Sequence, residues 1–232
     1  MEYGHFSPDL DASLASAEGY ERIYVGEEFC DKFLLRQLKR IEETIDRLII
    51  SHSISVIFPL VNESSVTAVE RLIDRLIIKY PNQIEFVCND IGMMNLLIKK
   101  NCSTIVAGRM LTRVILSYLM DKEDRLGLVP YVKRVELDST NLLRMRQLRK
   151  YKISYYDKIS IYGNGNNRCC FKTGGKEFGQ NAECNVERCS QPIPVTNGYL
   201  NEDFILFRNA VLKQDELRMV PALIDRIIHV EI

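Results

Sequence analysis

Short runs rich in valine, isoleucine and tyrosine recur along the 232-residue chain, and longer stretches with apolar residues at helical spacing separate them. The strand-like runs cover residues 23–26, 54–61, 84–88, 104–107, 132–137, 153–162 and 227–232, and 2–6 supplies an eighth. Helical patterns fill 31–50, 64–80, 92–100, 112–121 and 140–150, with a short last one at 220–224. In the first of these, Phe33, Leu34, Leu38, Ile41, Ile45, Leu48 and Ile49 fall on one helical face. Strands that alternate with helices pair in parallel and carry the helices on the outside of the sheet. Seven or eight such strands fit a closed ring better than an open sheet. The expected fold class is therefore α/β, a TIM-like barrel of eight strands. The sequence stops at Ile232 on the final strand, so the barrel is expected to lack its last helix.

Residues 163–201 break the rhythm. They are rich in Gly, Asn and Pro and too long for an ordinary connection. We read the chain as one barrel domain, 1–232, in which 163–201 is a cysteine-rich metal-binding insertion after strand seven. Residues 200–212 are expected to add a strand and a helix before the last unit.

Charge narrows the function classes. Lys+Arg and Asp+Glu both total 31, so no basic surplus favours a duplex nucleic acid. The N-terminus Met1-Glu2-Tyr3-Gly4-His5 has neither the basic nor the apolar part of a signal peptide. The longest apolar runs are about five residues, where a membrane span needs about 20. A cytoplasmic location without a membrane span follows as the expectation.

Cysteines carry the strongest chemical signal. Cys88 and Cys102 lie in apolar contexts that suit small buried hydrophobes. Cys169, Cys170, Cys184 and Cys189 fall close together in the insertion. Without secretion, such a cluster points to metal or redox chemistry before disulfides. The spacing shows no paired CxxC knuckles, and His5, His52 and His229 lie outside the insertion. Thiolate donors on irregular loops suit an iron–sulfur cluster or a four-thiolate zinc site equally on ligand softness, and free thiols remain a third reading.

In a barrel of this kind the chemistry lies at the carboxyl ends of the strands. Glu27, Glu28 and Cys30 follow the second strand, Asn62 and Glu63 the third, and Asn89 and Asp90 the fourth. Arg109 follows the fifth, and Glu136 and Asp138 close the sixth. Helix caps and solvated turns account equally for Asn62, Asn89 and Asp138. The barrel would bring the Cys30 loop to the same rim as the insertion.

The run Ile23-Tyr24-Val25-Gly26-Glu27 with Cys30 resembles the start of the collagenase-like peptidase family, peptidase family U-thirty-two. Asn89-Asp90-Ile91-Gly92, Val106-Ala107-Gly108-Arg109, Val135-Glu136-Leu137, Arg168-Cys169-Cys170-Phe171 and Glu183-Cys184 with Cys189 continue the resemblance in order, nearest to the family's ubiquinone-biosynthesis branch. It implies an eight-stranded barrel and a four-iron cluster held by Cys30, Cys170, Cys184 and Cys189. The doubled Cys169-Cys170 and one longer final spacing depart from the family pattern, and Cys170 fits the family spacing better than Cys169.

The resemblance further implies oxygen-independent hydroxylation of a quinone precursor or of an RNA base. There Arg109 would pair with a substrate carboxylate and Glu136 would move a proton. Arg109 can equally form a structural ion pair with Asp90 or Glu136. The neutral net charge favours a small-molecule substrate over a folded RNA. A non-catalytic cluster-bearing subunit that works with a homologous partner, or as a homo-oligomer, is the alternative. A peptidase comes last, because the sequence has neither HExxH nor GxSxG.

Overall fold

A ring of parallel strands is stable only when both of its faces are covered, and this sequence covers both. The computed structural model describes residues 1–120, 129–164, 190–198, 201–215 and 221–232. Its strands are β1 (Glu2–Phe6), β2 (Arg22–Gly26), β3 (Ser53–Phe58), β4 (Ile84–Cys88), β5 (Ile105–Ala107), β6 (Val132–Leu137), β7 (Lys152–Asn164), β8 (Ile193–Asn197), β9 (Glu202–Phe207), β10 (Ala210–Asp215) and β11 (Arg226–Val230). Strands β1 to β7 pair side by side in parallel, and β11 closes the ring by pairing in parallel with both β1 and β7. Closure leaves the eight-stranded barrel with no open edge.

Helices α1 (Leu10–Ala15), α2 (Asp31–Leu48), α3 (Glu63–Lys79), α4 (Ile91–Lys99) and α5 (Arg109–Met120) follow successive strands. They pack on outward-facing Ile23, Val25, Ile54, Val56, Phe58 and Phe86, which form one buried layer with Leu34, Ile41, Val69, Leu72 and Leu97. Burial of each such side chain is worth about 1.5–3 kcal/mol, so this layer is the main source of stability. Cys88 belongs to it, its thiol on the Val106 carbonyl at 3.5 Å. Burial pushes the Cys88 thiol far above its ordinary value and Cys102 up to about 11, which keeps both inert.

Three expectations change. The helix expected over 140–150 is a 3-10 helix, Ser139–Leu148. Its apolar residues recur every third position: Leu142, Met145, Leu148 and then Tyr151 all pack on the core. That spacing fits three residues per turn, where an α-helix would need steps of three and four. The short helix expected at 220–224 is absent among its described residues. Residues 221–224 form a turn closed by the Ile224 amide on the Pro221 carbonyl at 3.0 Å. The strand and helix expected over 200–212 are instead a hairpin, β9 and β10, joined by the two-residue turn Arg208-Asn209.

That hairpin changes the architecture. Past the barrel wall β7 continues, and its outer half pairs antiparallel with β10, then β9 and β8, so a second sheet rises from the carboxyl end of the barrel. The switch occurs at Lys158, whose φ of 70° bends β7 out of the ring. Strand β8 lies inside the expected insertion. Residues 165–189, with Cys169, Cys170, Cys184 and Cys189, lie outside the described residues.

On β11, paired on both sides by β1 and β7, no described apolar side chain is left bare on the outer face. Ile227 is buried beside Ile224, while Ile228 turns into the barrel and Val230 and Ile232 pack against the same inner cluster. The outward His229 stacks on Tyr3 at 6.0 Å, and the outward Glu231 accepts a hydrogen bond from Ser16.

Candidate functional site at the carboxyl mouth

The barrel axis is filled in three levels, and each is set by the inward residues of the strands. At the amino end lies a charge network. Arg226 donates to Glu2 at 2.7 Å, to Glu85 at 2.8 and 3.2 Å, and to the Tyr24 hydroxyl at 2.9 Å. Arg22 binds Glu2 at 2.7 Å and Ser55 at 3.2 Å, and Arg134 pairs with Asp225 and Ser154. Three guanidinium groups meet three carboxylates, so the plug is neutral. Burial opposes ionisation of Glu85, but Arg226, Arg22 and Arg134 overcome it and hold the carboxyl down to about 2.

The middle level combines Ile57, Val87, Val106 and Ile228 with Tyr24, Tyr156 and Glu136. Glu136 is fully buried, and its Oε2 accepts the Tyr156 hydroxyl at 3.0 Å. Burial, with the nearby Glu28 charge, pushes its pKa up to about 8 against the opposing tyrosine hydroxyls. Glu136 is therefore a neutral acid at pH 7.

The carboxyl mouth is built around the turn after β2. Gly26 has a φ of 126°, and a Cβ there would lie 2.4 Å from the Ile57 carbonyl oxygen, so only glycine fits. The turn carries Glu27 and Glu28 into the interior, where both are fully buried. Glu27 Oε1 accepts the amides of Phe29 at 2.7 Å and Cys30 at 3.1 Å. Glu28 takes both arms of the Arg109 fork, at 2.9 and 2.5 Å. The third arm of Arg109 donates to the Ile159 carbonyl at 2.8 Å, and its plane lies 3.9 Å over the Tyr156 ring. Burial works against this cation, but Glu28 keeps it charged. The partner of Arg109 is thus Glu28, with Asp138 at 3.8 Å, rather than Asp90 or Glu136.

Other rim residues tie neighbouring loops together. Asp90 caps α4 through the Met93 amide and also accepts the Val61 amide. Asn89 bridges the Phe58 carbonyl and the Met110 amide, and Asp138 accepts the Thr140 and Ile161 amides. Asn62 reaches Asp31, which also accepts from Ser65 at 2.7 Å. These contacts are those of caps and inter-loop ties.

Cys30 stands at the first turn of α2 on this rim and is buried. Over it folds the second sheet. Phe207 meets Phe29 edge-on at 5.6 Å. Arg208 forms an ion pair with Glu27 and lies 3.5 Å over the Phe33 ring. Hence β7 and β8, which lead into and out of residues 165–189, belong to the sheet that clamps the Cys30 loop. Among the described residues no group of three metal-binding side chains converges, and Cys170, Cys184 and Cys189 lie outside those residues. Sequence reasoning missed Glu28 as the partner of Arg109 and missed Arg208 altogether. A buried partner for Arg109 was inferable only as one of several rim carboxylates, and nothing local marked Arg208.

No family model, curated protein or solved structure matches the chain. Among the described residues, no helix is long and apolar enough to cross a membrane.

Proposed function

We propose that this chain is an iron–sulfur protein of the kind that serves oxygen-independent hydroxylation, and that it acts as the cluster-bearing subunit beside a second, homologous barrel. The observation that carries the reading is the clamp at the mouth. The Cys30 loop is packed under the very sheet whose strands bound the segment with Cys170, Cys184 and Cys189. A donor set of four thiolates, Cys30 with Cys170, Cys184 and Cys189, fits a four-iron cluster, with zinc as the alternative metal. Bound there, a cluster supplies electron-transfer or Lewis-acid chemistry.

The residues of the mouth favour a subunit over a self-sufficient enzyme. All three arms of the Arg109 guanidinium are taken by Glu28 and Ile159, so its fork is not open to a substrate carboxylate. Glu136 is fully buried beneath that pair. In the enzymatic reading, hydroxylation of a quinone precursor or RNA base, Glu136 would be the acid that holds a proton at neutral pH.

Strictly anaerobic purification followed by iron, sulfide and zinc analysis tests the proposal. Iron and acid-labile sulfide are expected, with the colour lost on serine replacement of Cys30, Cys184 or Cys189, and of only one of Cys169 and Cys170. Stoichiometric zinc without sulfide would overturn the cluster. Turnover of a hydroxylation substrate by the isolated chain would overturn the subunit reading.

A further inference from the structure

The turn that joins β9 to β10 holds an unexpected residue. A two-residue hairpin turn with a positive φ is normally supplied by glycine or asparagine. Here Arg208 occupies that position at φ 54°. A long side chain in the left-handed region costs conformational energy, so its presence needs a reason in what the side chain touches. Arg208 is only 3% exposed and does not point to solvent as a turn residue normally would. Its guanidinium lies over Phe33 at 3.5 Å and Phe207 at 4.5 Å, donates to the Pro8 carbonyl at 3.4 Å and pairs with Glu27.

These contacts form a chain that ends at Cys30. One oxygen of Glu27 receives Arg208, and the other accepts the amides of Phe29 and Cys30. Phe33 lies one turn further along α2. A single side chain from the second sheet therefore grips both ends of the segment that presents Cys30, and the gripping charge is buried, where its loss leaves Glu27 uncompensated.

We propose that Arg208 is a positioning residue: through Glu27 it latches the β9–β10 turn onto the Cys30 loop, so that the second sheet and the loop open and close as one unit. Its role toward a bound cluster rests on the function proposed above, whereas the latch itself does not. Opening the latch frees the Glu27–Phe33 segment and the mouth together. Closing it fixes the backbone of Cys30 against the sheet that bounds residues 165–189.

Hydrogen exchange on the 232-residue chain as purified tests the latch directly. In Arg208→Gln, the amides of Phe29 and Cys30 and those of β9 and β10 should exchange faster, on the order of tenfold. Amides of α3 and α4 should keep their wild-type rates, which separates latch opening from general destabilisation. Arg208→Lys retains the charge but not the planar fork and should fall between the two. Should Arg208→Gln not fold, wild-type exchange decides the matter. The Phe29 and Cys30 amides should then share one opening rate with β9 and β10 as denaturant is raised. Independent rates, or unchanged exchange in Arg208→Gln, would overturn the latch. Metal analysis of the wild type distinguishes the two proposals. Coupled exchange in a chain without iron and sulfide leaves the latch standing and removes the cluster. A cluster whose content and reduction potential do not change in Arg208→Gln removes the positioning role.

Discussion

Glu136 and the Glu28–Arg109 pair show how strongly one buried group can weigh on this barrel. The folded pKa of Glu136, about 8, exceeds the unfolded value, because burial and the Glu28 charge penalise its ionised form. Between about pH 4.5 and 8 the folded chain thus binds a proton that the unfolded chain releases, and stability falls as pH rises through this window. Glu136→Gln removes the titration while it keeps the shape. Urea unfolding should show the variant more stable than wild type at pH 8.5, by on the order of a few kcal/mol, with a much smaller difference near pH 4.5. The opposite holds for Glu28, whose charge is required. Glu28→Gln leaves Arg109 buried and unpaired and should cost about 3–5 kcal/mol in the same measurement at pH 7. A mild effect would show that Arg109 finds another carboxylate, Asp138 being 3.8 Å away.

Among the elements, the β9–β10 hairpin is where tertiary contacts overrode local pattern, whereas the 3-10 helix follows the three-residue spacing of its own apolar residues. In the 3-10 helix the core-facing ridge is Leu142, Met145 and Leu148, while Leu143 is 99% exposed. Leu148→Ala should therefore destabilise by about 2–5 kcal/mol through the cavity it leaves. Leu143→Ala should stay within about 0.5 kcal/mol of wild type. Thermal melts of the two variants test which residues form the core-facing ridge. The hairpin escaped local reading because its apolar residues face two different partners. Phe207, Ala210 and Leu212 join the inner barrel cluster, and Phe204 packs on Tyr162 of β7.

For the whole molecule, two opposed titrations shape the response to pH. Glu85 has its folded pKa held at about 2, below the unfolded value, by Arg226, Arg22 and Arg134 despite burial. Its contribution is present above about pH 4.5 and is lost as pH falls towards 2. Glu136 removes stability as pH rises from about 4.5 to 8. The stability maximum should lie on the acid side of neutrality, near pH 5, and unfolding midpoints in urea from pH 3 to 9 would locate it. Glu136→Gln should flatten the alkaline limb and Glu85→Gln the acid limb. A symmetrical maximum at pH 7 to 8 would show that other groups dominate.

The barrel was legible from local pattern alone. All eight of its strands and four of the five described α-helices were legible, because parallel strands buried on both faces must be short apolar runs and their helices must be amphipathic. It also placed Cys30, Asn89, Asp90, Arg109 and Asp138 at one rim, since parallel topology sends every following loop to the same end, whereas Glu136 lies one level deeper, within β6. What those residues touch depends on long-range contacts. Arg109 meets Glu28 across 81 positions, and Arg208 reaches the Cys30 loop from the far end of the chain. Such pairings depend on the closure of the ring and on the bend of β7 at Lys158, and neither leaves a local periodicity to read. α1 stayed hidden for a simpler reason: at six residues it is too short to repeat a helical pattern, and its Asp9 cap is visible only once the chain has turned.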